Sequence, residues 1–250
     1  GGQSGNVRKV NVDGVRNVMQ TALDLNIQRV VHISSIHAYD PLPKDDTLDE
    51  TRNFVDDTAF AYDQSKRDGQ LTVLEFVKKG LPALIVNPTS VTGQPENKLS
   101  LQGKAILDIY MGKIPAMFAG GYDWVDVRDV ASSICNALTM GRVGENYLLS
   151  GKYYTMKEIV AIVSEVKGKK IRVANVPVWL VQMGLPFVKL QSLITGKAPL
   201  YTNESIDILL HGNSKISHEK ARLELNHNPR PFTETISDLI AWFKVNGYIK

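Results

Sequence analysis

Tyr62 and Lys66 stand four residues apart in Tyr62-Asp63-Gln64-Ser65-Lys66, and a Ser34-Ser35 pair lies about one strand and one loop upstream. On a helix, residues at that spacing share one face, a single turn apart. The Lys66 ammonium then favours the phenolate of Tyr62 and draws the phenol towards working pH. A phenol tuned in this way passes a proton to or from a substrate oxygen. An ordinary surface helix also produces Tyr-x-x-x-Lys, so the pair takes its weight from the order of its neighbours. An apolar run ends in Ser34-Ser35, the Tyr-Lys segment follows, and a second apolar run leads into Asn87-Pro88.

The elements that hold these groups are legible in outline. Arg29 to Ser35 reads as a buried parallel strand, which sets Ser35 at a carboxyl end, where open α/β sheets bind their ligands. Phe60 to Lys79 reads as the helix bearing Tyr62 and Lys66, closed by Gly80, and Pro82 to Val86 as the second strand. Tyr39 to Thr58 carries Pro41, Pro43 and many acids, and is expected as a loop over the site. Val7 to Leu25 has helical spacing, with Val10, Val18, Ala22 and Leu25 as inward candidates and Asn26 as its end. Further on, a helix is expected from Leu99 to Tyr110 and a short strand from Trp124 to Val127. Asp129 is expected to N-cap a helix through Leu138. Glu145 to Leu149 reads as a strand, Thr155-Met156-Lys157-Glu158 as a capping box, and Lys170 to Val176 as another strand. Lys167-Gly168-Lys169-Lys170 reads as a helix end whose cations suit the dipole. Beyond Pro177 the pattern is mostly helical, with late starts at Ser217 and Thr233. Trp179, Trp242 and the run from Val178 to Leu185 read as packing residues.

Composition bounds the function classes. Of 250 residues, 43% are hydrophobic and 22% charged, which is ordinary for a folded globular protein. A formal charge of +3, with no basic run interleaved with aromatics, argues against a nucleic-acid partner. No apolar run reaches the ~18 residues of a membrane span and no signal peptide is visible, so a cytoplasmic protein without a membrane partner is expected. The single cysteine, Cys135, excludes an internal disulfide, offers no metal spacing and is expected buried. No metal site is expected.

Ser34-Ser35, Tyr62-x-x-x-Lys66 and Leu84-Ile85-Val86-Asn87-Pro88-Thr89-Ser90-Val91-Thr92-Gly93 resemble the extended short-chain dehydrogenase/reductases, the NAD-dependent epimerase/dehydratase family, in its dihydroflavonol-reductase-like branch. Asn11 to Val18, Trp124 to Ala131, Gly144 to Leu149, and Ser217 to Arg222 followed by Pro229-Arg230-Pro231 match as well, so the resemblance spans essentially the whole chain. Thr195 to Leu200 adds a weaker match. The resemblance implies an α/β fold: a Rossmann-type doubly wound parallel sheet with a smaller, mostly helical C-terminal substrate lobe. Residues 1–143 would belong to the dinucleotide-binding domain, with 93–117 partly in the substrate lobe, and 144–250 mainly to that lobe, the two being interleaved. Family members open with a strand, a glycine-rich turn and a helix that holds the pyrophosphate. No such pattern follows a strand here, and Gly1-Gly2-Gln3-Ser4-Gly5 lacks the preceding strand. The expectation is a chain that starts at the helix after the family's fourth strand and is part of a longer protein.

By the same resemblance Tyr62 is the general acid/base, Lys66 tunes it and holds the nicotinamide ribose, and Ser35 orients the substrate oxygen. Asn11, Ser34, Tyr62, Lys66, Val86, Pro88 and Val91 match cofactor-binding positions; His37, Asn87 and Trp124 are the substrate candidates. Asp126 and Arg128 flank the family's substrate-binding stretch, with a surface ion pair as the alternative, and Val178 to Val188 is a candidate entrance. The implied cofactor is NADP or NAD, the selecting residue belonging to the family's earlier βα units. Ile36 and His37 stand where the family's sugar dehydratases carry an Asp-Glu pair, which argues against dehydration. The implied function is hydride transfer between nicotinamide and a carbonyl or carbinol carbon of a small molecule. Its alternatives are a nucleotide-sugar epimerase and a non-catalytic dinucleotide-binding module, and a homodimer is the assembly allowed for.

Overall fold

The computed structural model describes residues 7–180, 209–210 and 212–249. Two apolar runs make the scaffold of the site. β1 (Val30–Ile33) lies parallel to β2 (Ala83–Pro88), with Val30 opposite Ala83 and Ile33 opposite Val86. β6 (Asn146–Leu149) pairs in parallel along the other edge of β2, Ile85 opposite Asn146 and Pro88 opposite Leu149. β2 is buried at every position, as a central parallel strand covered on both faces must be.

Helices cover this sheet. A π-type turn at Lys9–Asp13 runs into α1 (Gly14–Asp24), and α2 spans Ala61–Lys78. Met19 and Ala22 of α1 pack with Val73 and Phe76 of α2 over Leu81, Ala83 and Ile85. Val12, Met19 and Ala22 therefore face inwards, whereas Val10, Val18 and Leu25 are exposed, against expectation. The segment carries apolar residues on two sides, and the extra residue of the π-type turn shifts its phase, so helical periodicity alone placed Ala22 correctly but not Val10, Val18 and Leu25. Asn26 and Gly80, both at positive φ, end the two helices where expected.

A second core is built by α3 (Leu101–Tyr110), α5 (Met156–Lys167) and α7 (Phe232–Val245). Phe232, Ile236, Leu239, Ile240 and Phe243 line one face of α7 and meet Ile106, Ile159 and Val163. Each such side chain contributes roughly 1.5–3 kcal/mol on burial. The expected capping box opens α5, Thr155 and Glu158 bonding reciprocally, and Gly168 in the left-handed region closes it. Beneath these helices β3 (Ser90–Thr92) runs parallel to β5 (Gly121–Asp126), which pairs antiparallel with β7 (Lys152–Thr155). β4 (Ala116–Met117) and β8 (Ala174–Asn175) form a two-residue pair, much shorter than the strand expected from Lys170 to Val176.

Three further expectations change. Asp126, not Asp129, caps α4 (Val127–Ala137), because its Oδ1 accepts from the Arg128 N–H while Asp129 is held by Arg230. Cys135 is exposed: Val130, Ser133 and Ala137 define the buried face of α4, and Cys135 points away from it. Trp179 is exposed too. The runs from Leu180 onwards and at Thr195 to Leu200 lie outside the described residues, Leu180 itself excepted. Among the described residues no helix is long and apolar enough to cross a membrane, and no three His, Cys, Asp or Glu side chains gather as metal ligands.

Between α6 (Glu219–Leu225) and α7, the wholly buried His227 joins distant segments: Nε2 donates to the Ser150 carbonyl at 2.8 Å, and Nδ1 meets the Ser133 hydroxyl at 2.8 Å. Burial lowers its pKa. His32 on β1 is pushed down to about 4 by burial and then by the Lys66 ammonium. A histidine with a lowered folded-state pKa takes up its proton more readily when unfolded. Stability is thus complete above the unfolded value of 6.5 and is lost as pH falls from there towards about 4. The unfolding free energy should hold steady above that window and drop within it, by up to roughly 3 kcal/mol for His32 alone, as read by chemical denaturation across pH.

Candidate active site

The chain turns out of β1 at Ser34-Ser35, and α2 begins beyond the loop that follows. Ser34 is buried and its hydroxyl accepts from Gln70 Nε2 of α2 at 2.8 Å. Ser35 Oγ accepts from the His37 backbone N–H at 3.3 Å, opening a 3-10 turn over Ile36–Ala38. Asn87, wholly buried at the end of β2, donates from Nδ2 to the Ser35 carbonyl at 3.1 Å and so fixes the turn. It is not among the residues that line the neighbouring cavity.

Tyr62 and Lys66 lie on the first turns of α2, one turn apart as expected, with Lys66 Nζ 5.7 Å from the Tyr62 ring centroid. Tyr62 is 37% exposed. The His37 ring stands edge-on to the Tyr62 ring, centroids 5.6 Å apart. His37 Nδ1 also comes within 3.1 Å of Asp63 Oδ1, an ion-pair contact whenever the imidazole is protonated, and Asp63 Oδ1 accepts no hydrogen bond among the described residues. Asn11 donates from Nδ2 to Ser65 Oγ, which donates to the Tyr62 carbonyl, so the π-type turn is tied to the helix that carries Tyr62. Gly69 permits that approach: a Cβ there would stand 2.6 Å from the Asn11 carbonyl oxygen.

A cavity of about 120 Å³ sits against both segments. Neither Ser35 nor Tyr62 lines it, but their neighbours Ile36, His37, Phe60 and Asp63 do, with Tyr39 and Leu48 from the intervening loop. That loop covers the site as the sequence implied. Tyr122 and Asp123 of β5 close another side. Trp124, expected as a substrate residue, is only 5% exposed and packs against Tyr122 and Phe232 in the second core. Alternation along β5 turns its ring away from Asp123's side of the strand. Asp123 was missed. Its one sequence signal is an acid in the middle of an apolar strand, between Tyr122 and Trp124. Oδ1 accepts from Thr89 Oγ1 at 2.7 Å and from the Gly151 N–H at 2.8 Å. Burial pushes its carboxyl up to about 6 against the effect of those two bonds.

The residues fit the nicotinamide end of a dinucleotide. Lys66 is partly buried, burial lowers its pKa, and it makes no ion pair with a carboxylate among the described residues, which leaves its donors for ribose hydroxyls. Of the remaining cofactor candidates, Val86 has its side chain wholly buried in the core, and its carbonyl accepts from the Ser34 N–H. Pro88 is buried in the sheet opposite Leu149, and Val91 packs partly against the same core opposite Val125. Asp126 and Arg128 belong to an ion-pair network with Asp238 of α7 and Arg230, away from the cavity.

Comparison with known proteins agrees with this geometry. Residues 3–150 match the model of the NAD dependent epimerase/dehydratase family. The chain is similar to sterol demethylase protein B of Methylococcus capsulatus, 30% identical over 243 residues that make up 96% of this chain and 74% of that protein. It is 28% identical over 251 residues to a putative dihydroflavonol 4-reductase of Synechocystis, covering 96% of this chain and 71% of the relative. The crystal structure of gox2253 superposes with a TM-score of 0.83 at 31% identity, covering all of this chain and 76% of that one. On its parallel sheet, its Tyr62–Lys66 helix and these matches, the chain belongs to the NAD-dependent epimerase/dehydratase family of enzymes.

Proposed function

We propose that this chain is a nicotinamide-dependent reductase of a small-molecule carbonyl, working on the carbinol in reverse. The observation that carries the reading is the joint placement of Ser35, Tyr62 and Lys66 beside a cavity walled by the segments next to them. Bound nicotinamide, as NAD or NADP, supplies or takes up the hydride at the carbonyl carbon. Tyr62 donates its phenolic proton to the carbonyl oxygen as the hydride arrives, and Lys66 favours the phenolate left behind. Ser35 orients the oxygen, and Asn87 keeps the Ser35 turn in place. In this reading residues 1–143, with β6 (Asn146–Leu149) completing their parallel sheet, hold the dinucleotide, and the rest of 144–250, with 93–117, closes over the substrate. We assign the reaction to the cytoplasm and leave a homodimer as the proposed assembly.

Nucleotide-sugar epimerisation would use the same tyrosine and lysine but must also seat a diphosphate, and no Lys or Arg lines the cavity among the described residues. The two chemistries separate in one assay. A reductase consumes reduced nicotinamide stoichiometrically with an aldehyde or ketone. An epimerase interconverts a nucleotide sugar with no net consumption. Nicotinamide binding with neither activity is the signature of a binding module and overturns the proposal.

A further inference from the structure

The cavity pairs apolar walls with two buried carboxyls. Ile36, Leu48, Phe60 and Ile216 provide the walls. Asp63 is 9% exposed with His37 Nδ1 3.1 Å from its Oδ1, and Asp123 is 7% exposed with both of its hydrogen bonds falling on Oδ1. The second oxygen of Asp123 has no partner among the described residues. A phosphate or carboxylate entering this space would lose its hydration and face like charge, with no Lys or Arg among the described lining residues and with His37 already engaged by Asp63. A cation would surrender its hydration to four apolar side chains. A neutral apolar molecule fits the walls but leaves the carboxyl oxygens unpaired, which also costs. A neutral molecule with one well-placed hydroxyl suits the walls and pairs the open oxygen of Asp123, while Asp63 keeps its contact with His37.

We propose that Asp123 selects the substrate: the cavity takes an uncharged, mainly apolar carbonyl compound whose distal hydroxyl donates to the Asp123 carboxylate, and it rejects phosphorylated and carboxylated compounds. The proposal rests on the reductase reading for the position of the reacting carbonyl, and on the cavity alone for the choice of ligand. Hydroxyl selection by a built acceptor is also how a site gains its strongest discrimination, because the analogue without the hydroxyl strands a buried polar group. A raised carboxyl pKa adds support, since it reports how little water reaches Asp123.

Three benzaldehydes sharing one ring and one reacting carbonyl test this: the para-hydroxymethyl, para-ethyl and para-carboxylate compounds. With the full protein and reduced nicotinamide, kcat/KM should favour hydroxymethyl over ethyl by about 10- to 100-fold, with the carboxylate lowest. Asp123→Asn keeps an oxygen for Thr89 and Gly151 but turns an NH2 group into the cavity. The hydroxymethyl-to-ethyl ratio should then fall towards one, and the carboxylate should gain relative to both. A ratio unchanged in Asp123→Asn, or a parent enzyme that prefers the carboxylate, overturns the proposal. Calorimetric binding of the same compounds separates the two readings. Ordered binding without turnover removes the reductase and keeps the selection. Turnover without the order does the reverse, and failure of all three to bind overturns the selection as well.

Discussion

Tyr62→Phe should lower carbonyl reduction roughly 100- to 10,000-fold while nicotinamide affinity stays within about twofold of the parent. Phenylalanine keeps the ring that contacts His37 and lies near Lys66, so the start of α2 keeps its packing and only the hydroxyl is lost. That hydroxyl is the group assigned to the proton. Steady-state reduction and nicotinamide titration, run side by side on the same preparation, read the two effects separately. If the variant retains parental turnover, the proton comes from elsewhere and the proposed mechanism falls. If both quantities collapse together, Tyr62 holds the cofactor rather than the proton.

The largest expected effect on stability lies outside the cavity. Asp126 has no exposed side-chain surface, caps α4, and accepts from Arg128 Nε at 2.9 Å and from its terminal nitrogen at 2.7 Å. Arg128 in turn reaches Asp238 on α7, and Arg230 grips Asp129 while approaching Asp126. Burial pushes the Asp126 carboxyl up, but the arginine bonds outweigh it and hold it below its ordinary value. Asp126→Ala removes the cap and leaves two partly buried guanidinium groups short of a partner, an expected cost of about 3–5 kcal/mol. The denaturant midpoint should fall by that free energy divided by the slope, with the slope itself unchanged. Arg222→Ala, which breaks a solvent-exposed pair with Glu219, is the contrast and should leave the midpoint where it was.

What could be read ahead of the structure followed local rules. β2, α2, the Thr155–Glu158 capping box and the glycine stop at Gly80 each depend on a few adjacent residues, and each appeared where expected. So did the one-turn spacing of Tyr62 and Lys66. The failures concern which of two faces a segment turns inwards. The first helix offered two apolar stripes, and of the four inward candidates only Ala22 is buried. Trp124 and Asp123 are neighbours on one strand, and the aromatic drew attention that the acid merited. Cys135 was assigned by residue type, although the buried face of α4 is set by Val130, Ser133 and Ala137. Asp129 and Asp126 both suit an N-cap, and only the distant Arg230 decides between them. Long-range partners of this kind leave no mark on the spacing of residues nearby.

Asp123 ties its own strand to two strand junctions at once. It belongs to β5, while its Oδ1 holds Thr89 at the junction of β2 and β3 and Gly151 at the turn from β6 to β7. Gly151 has no room to move, since a Cβ there would stand 1.9 Å from the Trp124 carbonyl oxygen. The residue that would choose the ligand is therefore also a rivet in the framework. A lineage drifting towards new substrates could seldom alter it without loosening that joint. Divergence within such proteins should accumulate not at Asn213, whose amide ties the covering loop to Lys215, but at Phe60 and Ile216, wall positions whose side chains make no hydrogen bonds. Laboratory evolution aimed at a wider substrate range has its most permissive starting points there.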